Sequence, residues 1–210
     1  MKFLVTAATQ NEIAAFSPAS EDIDILVTGV GIASTIYHLQ KRLQQLDYDM
    51  IIQAGFAGSF NEELEPGETV LVSKDTFGDI GAEENYNFKT IFDMGLAAKD
   101  EFPFTNGWLI NSTASLAHLE HKKVSAITVN KVSDSALVKQ QRENSFDPAI
   151  ETMEGAALHY LCLQENIPFF QLRTISNMVG VRDKTKWLLN ASVENLDIEL
   201  NKLIKKLKDL

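Results

Sequence analysis

The stretch Glu151–Asn177 joins an acidic, small-residue helix start to an apolar strand that ends in polar side chains. Apolar residues recur at helical spacing from Glu154 to Gln164, and Phe169–Ile175 is too uniformly apolar for a half-exposed strand. The second run is therefore predicted to be a central strand that is covered on both faces. Because ligands of open α/β sheets bind outside the carboxyl ends of the strands, the functional site is expected at this junction.

Shorter apolar runs alternate with helical patterns along the rest of the chain. The other predicted strands are Phe3–Ala8, Ile23–Thr28, Met50–Ala54, Glu68–Ser73, Trp108–Asn111 and Lys123–Val129. The predicted helices are a short segment after Thr9 and longer ones at about 33–46, 133–144 and from 186 to the end. This alternation predicts an α/β protein with a mixed, largely parallel sheet.

Three segments between these elements are predicted to be irregular. Gly55–Ser59 follows the third strand, where glycine allows a sharp turn or a close approach of the backbone to a ligand. Glu83–Asn85 is predicted to be an acidic loop. Weak periodicity and frequent aromatic residues from Tyr86 to Asn106 indicate an excursion that packs over another element or a neighbouring subunit.

Composition limits the classes to which the chain can belong. Its 210 residues contain no Pro/Gly/Ser-rich linker, so residues 1–210 are expected to form one domain. The formal charge of −10 argues against a nucleic-acid surface, which needs clustered Lys and Arg. No apolar run approaches the ~20 residues that span a bilayer, and Met1–Val5 lacks the features of a signal peptide, so a cytoplasmic protein is expected. The single cysteine, Cys162, excludes an internal disulfide framework and is expected to be buried.

Polar residues stand at the junctions where a site is expected. Glu12 lies just past the first strand, Glu154 opens a helix, and Asn177 ends the central strand. Each also has a simpler explanation, because the helix dipole favours acidic residues in a first turn and asparagine ends strands as a turn former. Gly29–Gly31 is too short to complete a G-x-G-x-x-G loop, which disfavours a dinucleotide-binding protein.

Six segments resemble, in the same order, the motifs of the nucleoside phosphorylase/nucleosidase superfamily. They are the segment around Glu12, GVG at 29–31, QAGFAGSF at 53–60, PGE at 66–68, TMEGAA at 152–157 and LRTISN at 172–177. The resemblance implies a partly closed mixed β-sheet flanked by helices in three layers. Within the superfamily, FGDIGAEE at 77–84, ITVN at 127–130, MEGAALHY at 153–160 and SNMVGVRDKTKW at 176–187 resemble the futalosine hydrolases most. The methylthioadenosine/S-adenosylhomocysteine nucleosidases are the next nearest relatives.

The chemistry of such enzymes makes specific demands. Cleavage of a ribosyl C–N bond passes through a cationic sugar, so the site needs nearby anions, a positioned nucleophile and stabilisation of the departing base. The resemblance implies that Glu154 accepts the ribose 2′- and 3′-hydroxyls, and that Met153 packs under the sugar. It implies that Glu12 holds and deprotonates the attacking water. Arg173 either helps to orient that water or only balances the buried carboxylates.

Two departures from the superfamily pattern bear on the subclass. Phosphorylases of this superfamily carry phosphate-binding arginines where this chain has Thr9–Glu12 and Ile52–Ala54, so water is favoured over phosphate. Adenine-releasing nucleosidases carry an aspartate where this chain has Asn177. An amide accepts from a protonated purine N7 and donates to a 6-oxo group, which favours hypoxanthine over adenine. The N7 proton would then come from solvent or from Asp183.

The resemblance also implies further contacts with a small nucleoside substrate. The expected residues are Phe56, Ala57 and Gly58 along the sugar and base, Val129 and Asn130 at the border of the base, and Ser176, which orients it. Arg182 or Lys184 would pair with the substrate carboxylate, or would only form a solvated turn. No metal and no organic cofactor is expected, because the 4 histidines show no ligand spacing. A homo-oligomer, dimer or tetramer, is expected.

The sequence leaves three functions open. The first is hydrolysis of futalosine with release of hypoxanthine. The second is an adenosine-type nucleosidase, such as a methylthioadenosine/S-adenosylhomocysteine nucleosidase, or a purine nucleoside phosphorylase with an altered anion site. The third is a catalytically silent nucleoside-binding protein. Because a binding protein needs no residue to activate water, the joint presence of Glu12 and Glu154 favours an enzyme.

Overall fold

The computed structural model describes residues 1–18, 20–181 and 189–209. The strands are β1 Phe3–Ala7, β2 Ile23–Val27, β3 Met50–Ser59, β4 Thr69–Phe77, β5 Gly81–Glu84, β6 Asn87–Thr90, β7 Leu109–Ile110, β8 Lys123–Thr128, β9 Ile150–Thr152 and β10 Phe169–Met178. The α-helices are α1 Ile32–Leu43, α2 Ala136–Phe146, α3 Gly155–Gln164 and α4 Leu189–Lys208. Short 3-10 helices occupy Gln10–Ile13 and Ala114–His118.

The main sheet is partly closed. Its strands follow the order β10-β4-β8-β9-β3-β1-β2, and β10 also pairs with β3, which closes five of the strands into a ring. Parallel pairs such as β1 with β3 and β10 with β3 alternate with antiparallel ones such as β10 with β4. The predicted mixed α/β fold with a partly closed sheet is therefore confirmed.

The predicted central strand is confirmed in β10. Residues 169–176 are all buried, because the strand pairs with β3 on one side and with β4 on the other. Helices cover both faces of the sheet. On one face, Leu39 of α1 and Leu158 of α3 pack with residues of β1 and β3. On the other, Leu200 of α4 packs in a cluster with Phe170. Burial of each such side chain stabilises the fold by roughly 1.5–3 kcal/mol.

Several boundaries differ from the expectations. The glycine segment 55–59 is not a turn but the second half of β3, which continues beside β10. Residues 83–84 are not an irregular loop, since they pair with β6 in a small hairpin. Strand β9 was not expected, because three residues carry no periodic signal. Helix α2 begins three residues later than predicted, where Ser135 caps it by accepting from Val138 N at 3.4 Å.

Cys162 is buried, as expected, and burial raises the pKa of its thiol well above the ordinary value. Within the described parts of the chain, no helix is both long enough and apolar enough to cross a membrane.

Candidate active site

A cavity of about 970 Å³ opens beside the carboxyl ends of β1, β3 and β10. It is lined by residues 8–9, 11–12, 14–15, 30, 56–58, 132–133, 151–154, 176–177, 179–180 and 193–194. This is the edge at which the sequence predicted a site. Among these described lining residues there are four carboxylates, Glu12, Glu151, Glu154 and Glu194, and no Lys, Arg or His.

Glu12 is held by its own neighbourhood in the chain. Its Oε2 accepts hydrogen bonds from Thr9 N at 2.8 Å and from Thr9 Oγ1 at 3.0 Å. Its Oε1 accepts from Phe56 N at 3.3 Å. The first two bonds form because a single turn of 3-10 helix, starting at Gln10, brings residues three apart together. The carboxylate therefore points into the cavity with one oxygen bound locally and the other lying along β3.

Arg173 lies behind Glu12, in the interior of the protein. The side chain is 1% exposed, and Nη2 donates to Gln53 Oε1. A Cβ added to Gly55 would overlap Arg173 Nη1 and would lie 2.7 Å from Glu12 Oε1. The guanidinium and the carboxylate thus meet over the bare backbone of Gly55. Burial lowers the pKa of Arg173, while the charges of Glu154, Glu12 and Asp75 act in the opposite direction.

Glu154 occupies the N-cap position of α3 but does not cap the helix with its side chain. Its Oε1 instead accepts from Gly31 N at 2.9 Å, across 123 residues of sequence. Gly31 has a φ of 89°, a left-handed value that glycine adopts without strain and that turns this N–H towards the cavity. Burial raises the pKa of Glu154, and the charge of Arg173 opposes that rise.

The amides at the start of α3 are satisfied by threonines from neighbouring strands. Thr152 Oγ1 accepts from Gly155 N at 3.2 Å, and Thr128 Oγ1 accepts from Ala156 N at 2.7 Å. The first amides of a helix otherwise need a cap from the residue that precedes them. Because the threonine hydroxyls supply it, the carboxylate of Glu154 is left free for the cavity.

Asn177 and Ser176 also line the cavity. Ser176 Oγ donates to Asn177 Oδ1 at 2.8 Å, and Asn177 Nδ2 donates to Met178 O at 2.8 Å. The Asn177 side chain lies over Gly58, where an added Cβ would be 3.5 Å from Nδ2. An amide oxygen has a second lone pair and an amide nitrogen a second hydrogen. Asn177 therefore retains one acceptor and one donor position for a ligand.

The structure brings most of the predicted site residues together, but not all. Glu12, Glu154, Asn177, Phe56, Ala57, Gly58, Met153 and Ser176 line the cavity. Arg173 lies behind it. Val129 is fully buried in an apolar cluster with Phe60 and Ile127, and Asn130 donates outside the cavity, to Asp79 at 2.6 and 3.2 Å.

Two other groups of residues complete the account of the site. Arg182, Lys184 and Asp183, proposed as partners of the substrate carboxylate and as a proton source, lie outside the described residues. Val132 and Ser133 line the cavity in the region where Val129 and Asn130 were expected. No motif marked this pair as part of a site; Ser133 was expected to begin a helix, whereas both residues lie in the loop between β8 and α2.

Glu151 is a further wall residue that sequence reasoning did not select. Its Oε2 lies 2.5 Å from Arg142 Nη1 of α2, and both side chains are buried. Glu151 reaches the wall because it lies in β9, and a strand of three residues is too short to be recognised from its sequence pattern. No group of three His, Cys, Asp or Glu side chains able to hold a metal ion occurs in the described ranges.

Comparison with known proteins gives this arrangement a family. The family model described as Phosphorylase superfamily matches residues 15–210. The chain belongs to the phosphorylase superfamily. As a member of it, the chain is similar to the futalosine hydrolase of Streptomyces coelicolor, with 26% identity over 86% of this chain and 77% of that protein. It is also similar to the 5′-methylthioadenosine/S-adenosylhomocysteine nucleosidase of Halalkalibacterium halodurans, with 23% identity over 86% of this chain and 79% of that protein.

A solved structure shows the same fold. A variant of the Helicobacter pylori methylthioadenosine nucleosidase, with 5′-methylthioadenosine in its active site, superimposes with a TM-score of 0.77 at 16% identity. The match covers 98% of this chain and 98% of the other. At this identity the likeness establishes the fold, and the choice of substrate has to be argued from the site itself.

Proposed function

We propose that the protein hydrolyses the N-glycosidic bond of futalosine, releasing hypoxanthine and dehypoxanthine futalosine, a step of menaquinone biosynthesis. That it is an N-glycosidic hydrolase follows from its similarity to futalosine hydrolases and nucleosidases along most of its length. The more specific claim is that futalosine is the substrate. It is supported by the side chains that frame the cavity.

One observation carries the proposal. Glu12 and Glu154 line one cavity and both interact with the buried charge of Arg173. In the proposed reaction Glu12 takes the proton of the attacking water, with Arg173 orienting its carboxylate from behind. Glu154 accepts the ribose hydroxyls and presents its negative charge to the cationic sugar. Arg173 approaches the Glu12 oxygen that lies near Gly55. In this proposal it therefore positions the Glu12 carboxylate and does not itself contact the water.

The charge of the cavity wall supports water over phosphate as the nucleophile. The described lining residues include four carboxylates and no cation, whereas phosphate binding relies on Lys or Arg, or on helix amides. Arg173 does not supply this charge, because it is enclosed by carboxylates and Gln53. A phosphate ion in this cavity would face repulsion from Glu12 and Glu154.

Asn177 supports a 6-oxopurine as the leaving base. Its free acceptor position suits a protonated N7, and its free N–H suits an oxygen at position 6. An ionised aspartate in its place would present only acceptors. Its oxygen would then repel the oxygen at position 6, because neither atom carries a hydrogen to donate. Asn177→Asp should therefore shift preference towards a 6-amino base.

That shift has a measurable size. An unpaired buried polar group costs roughly 1–3 kcal/mol, so the ratio of kcat/KM for futalosine over aminodeoxyfutalosine should fall about 10- to 100-fold. Ser176→Ala is the matched control, because it removes the donor to Asn177 Oδ1 but keeps the amide. If the ratio is the same in wild type and Asn177→Asp, the amide does not read position 6.

Other parts of the proposal concern the substrate tail and assembly. Arg182 or Lys184 would pair with the substrate carboxylate, since no described wall residue offers a cation. We also propose a cytoplasmic homo-oligomer, in which the 86–106 excursion meets a second subunit. In support, Leu96 is 70% and Phe102 67% exposed on that excursion, a large apolar area for a free surface.

A second candidate is a methylthioadenosine/S-adenosylhomocysteine nucleosidase. The relative from Halalkalibacterium halodurans is only slightly less similar than the futalosine hydrolase. This candidate predicts release of adenine and no use of the carboxylate on the substrate tail. The two candidates therefore differ in the base that is released.

The deciding experiment offers the protein futalosine, inosine and methylthioadenosine separately, each with and without phosphate. The proposal expects hypoxanthine from futalosine at a rate that phosphate does not change, and a free sugar rather than a sugar 1-phosphate. Glu12→Gln serves as the inactive control of nearly the same size. Adenine released from methylthioadenosine as the preferred reaction would favour the second candidate, and a 1-phosphate product would overturn hydrolysis.

A further inference from the structure

A buried carboxylate that the proposed reaction does not use lies beneath the start of α3. Asp75, on β4, has no exposed surface and does not line the cavity. Both of its oxygens accept from the hydroxyl of Thr128, at 3.0 and 3.1 Å. Thr128, on β8, is equally buried. The carboxylate thus contacts the same hydroxyl that accepts the Ala156 amide of α3.

The hydrogens of this network can be counted. Thr128 Oγ1 accepts from Ala156 N and lies 3.0 Å from Thr152 Oγ1, which accepts from Gly155 N. Each hydroxyl has one hydrogen and two lone pairs. When Asp75 is ionised, Thr128 donates to it and Thr152 donates to Thr128, so both helix amides and both hydroxyl hydrogens are bonded.

Protonation of Asp75 on the oxygen that donates to Thr128 reverses the direction of this chain. The carboxyl O–H would donate to Thr128, the Thr128 hydrogen would turn towards Thr152, and the Thr152 hydrogen would lose this acceptor. The lone pairs of Thr128 would be shared between Asp75 and the Ala156 amide. Both helix amides stay bonded in that arrangement, but one hydroxyl hydrogen has no acceptor, so the ionised form is the one in which the threonines beneath α3 are fully bonded.

The helix start is seated directly on this carboxylate. A Cβ added to Gly155 would overlap Asp75 Oδ2 and Gln171 Nε2. Glycine is thus required by the close approach of the helix to β4 and β10. A negative charge at this point also meets the positive end of the α3 dipole, which adds to the hydrogen bonds.

We propose that Asp75 and Thr128 are positioning residues for Glu154. They hold the first turn of α3 from beneath, so that the Glu154 side chain does not have to cap its own helix. Its carboxylate stays on Gly31 N and faces the substrate. The inference rests on the proposed function for the part that concerns turnover. The part that concerns the helix start is independent of it.

Charged groups around Asp75 define its titration. Arg173 faces it from β10, and Glu154 and His159 lie on the α3 side. Burial raises the pKa of Asp75 to about 7, against the lowering effects of the Thr128 hydroxyl and the charge of Arg173. Burial lowers the pKa of His159 to about 4, so this imidazole is neutral near pH 7. Of Asp75 and His159, Asp75 is therefore the group whose charge changes near pH 7.

The first test removes the Thr128 hydroxyl. Thr128→Val should lower kcat/KM about tenfold or more, since one buried hydrogen bond and its unpaired partner are worth roughly that factor. Thr128→Ser should restore most of the activity. The matched control is Thr76→Val, because Thr76 is a buried threonine of the same strand as Asp75 whose hydroxyl bonds Gly107 O at 2.8 Å, away from α3. Equal kcat/KM in the two valine variants would overturn the proposal.

The second test uses pH. Asp75→Asn should reduce kcat/KM relative to wild type at pH 8, and the gap should close towards pH 6 as wild type protonates. Stability should move the other way. A carboxyl whose pKa is raised by folding loses stabilisation as pH rises through about 7, so the Tm of the variant should gain on wild type from pH 6 to pH 8. A lower Tm at both pH values with unchanged kcat/KM would mean that Asp75 is only structural.

The third test needs no substrate and separates this proposal from the proposed function. Amide hydrogen exchange at Gly155 and Ala156 should accelerate in Thr128→Val and Asp75→Asn, but not in Thr76→Val. If wild type cleaves no nucleoside while exchange behaves as expected, the proposed function is wrong and the positioning network stands. Unchanged exchange in both variants would overturn the network whatever the enzyme does.

Discussion

Glu12 and Glu154, the two carboxylates proposed to act in the reaction, are held in contrasting ways. Glu12 is held mainly by Thr9, three residues away, through a backbone and a side-chain hydrogen bond. Glu154 is held by Gly31, 123 residues away, and by a helix start that strands β8 and β9 secure. A local clamp survives small shifts of the sheet, whereas a carboxylate fixed across the fold depends on the packing of every element between.

The largest expected effect tests Glu12 itself. Glu12→Gln keeps the size of the side chain but removes the base, so kcat should fall about 10²- to 10⁴-fold while nucleoside binding persists. Steady-state kinetics and equilibrium binding of a substrate analogue measure the two parts. Glu62→Gln, at an exposed position, is the control and should leave both unchanged. Turnover close to that of wild type in Glu12→Gln would remove this residue from the mechanism.

Glu154→Gln tests the long-range partner. Loss of the charge that faces the cationic sugar should lower kcat about 10²- to 10³-fold. Because burial raises the pKa of Glu154, the ionised form should be lost on acidification at a higher pH than for an ordinary glutamate. Wild-type kcat/KM should decline across that range, and the step should be absent from the pH profile of Glu154→Gln. An effect on affinity alone, with kcat unaltered, would contradict the electrostatic role.

Gly55→Ala disturbs the point at which Arg173 meets Glu12. The new Cβ would displace Arg173 and Glu12 together, and a misplacement of about 1 Å at a reacting group can cost about 10²-fold in rate. Gly95→Ala is the control, because nothing lies within 4 Å of its added Cβ, although its φ of 69° carries some strain. Measuring kcat/KM together with Tm distinguishes an effect on the site from a loss of stability. If both variants lose stability alone, Gly55 is not required for the site.

Thr9→Val gives the smallest expected effect and sharpens the comparison. It removes one of the bonds to Glu12 Oε2 while the Thr9 amide still donates, so kcat/KM should fall by about tenfold or less, the worth of one hydrogen bond. The loss should be smaller than that of Thr128→Val, because the local clamp has a second bond in place. The reverse order of the two losses would refute the distinction between local and long-range support.

The sequence predicted the architecture more completely than the details of the site. Periodicity identified the central strand β10 because burial on both faces leaves a continuous apolar run. The family resemblance placed Val129 and Asn130 at the wall next to α2, where the structure has other residues. Val129 N still donates to Thr152 O at 2.9 Å, so the strand pairing runs one residue further and turns the Val129 side chain into the core. The wall is formed later, by Val132 and Ser133.

By itself the sequence determined the α/β fold, the positions of Glu12 and Glu154 at the ends of predicted elements, and the local turn that holds Glu12. These follow from periodicity and from contacts between residues a few positions apart, which sequence spacing encodes directly. Only the tertiary structure decided that Gly31 holds Glu154, that Arg173 meets Glu12 over Gly55, and that Asp75 lies beneath α3. Those contacts depend on strand order and register, which bring together residues that no local pattern relates.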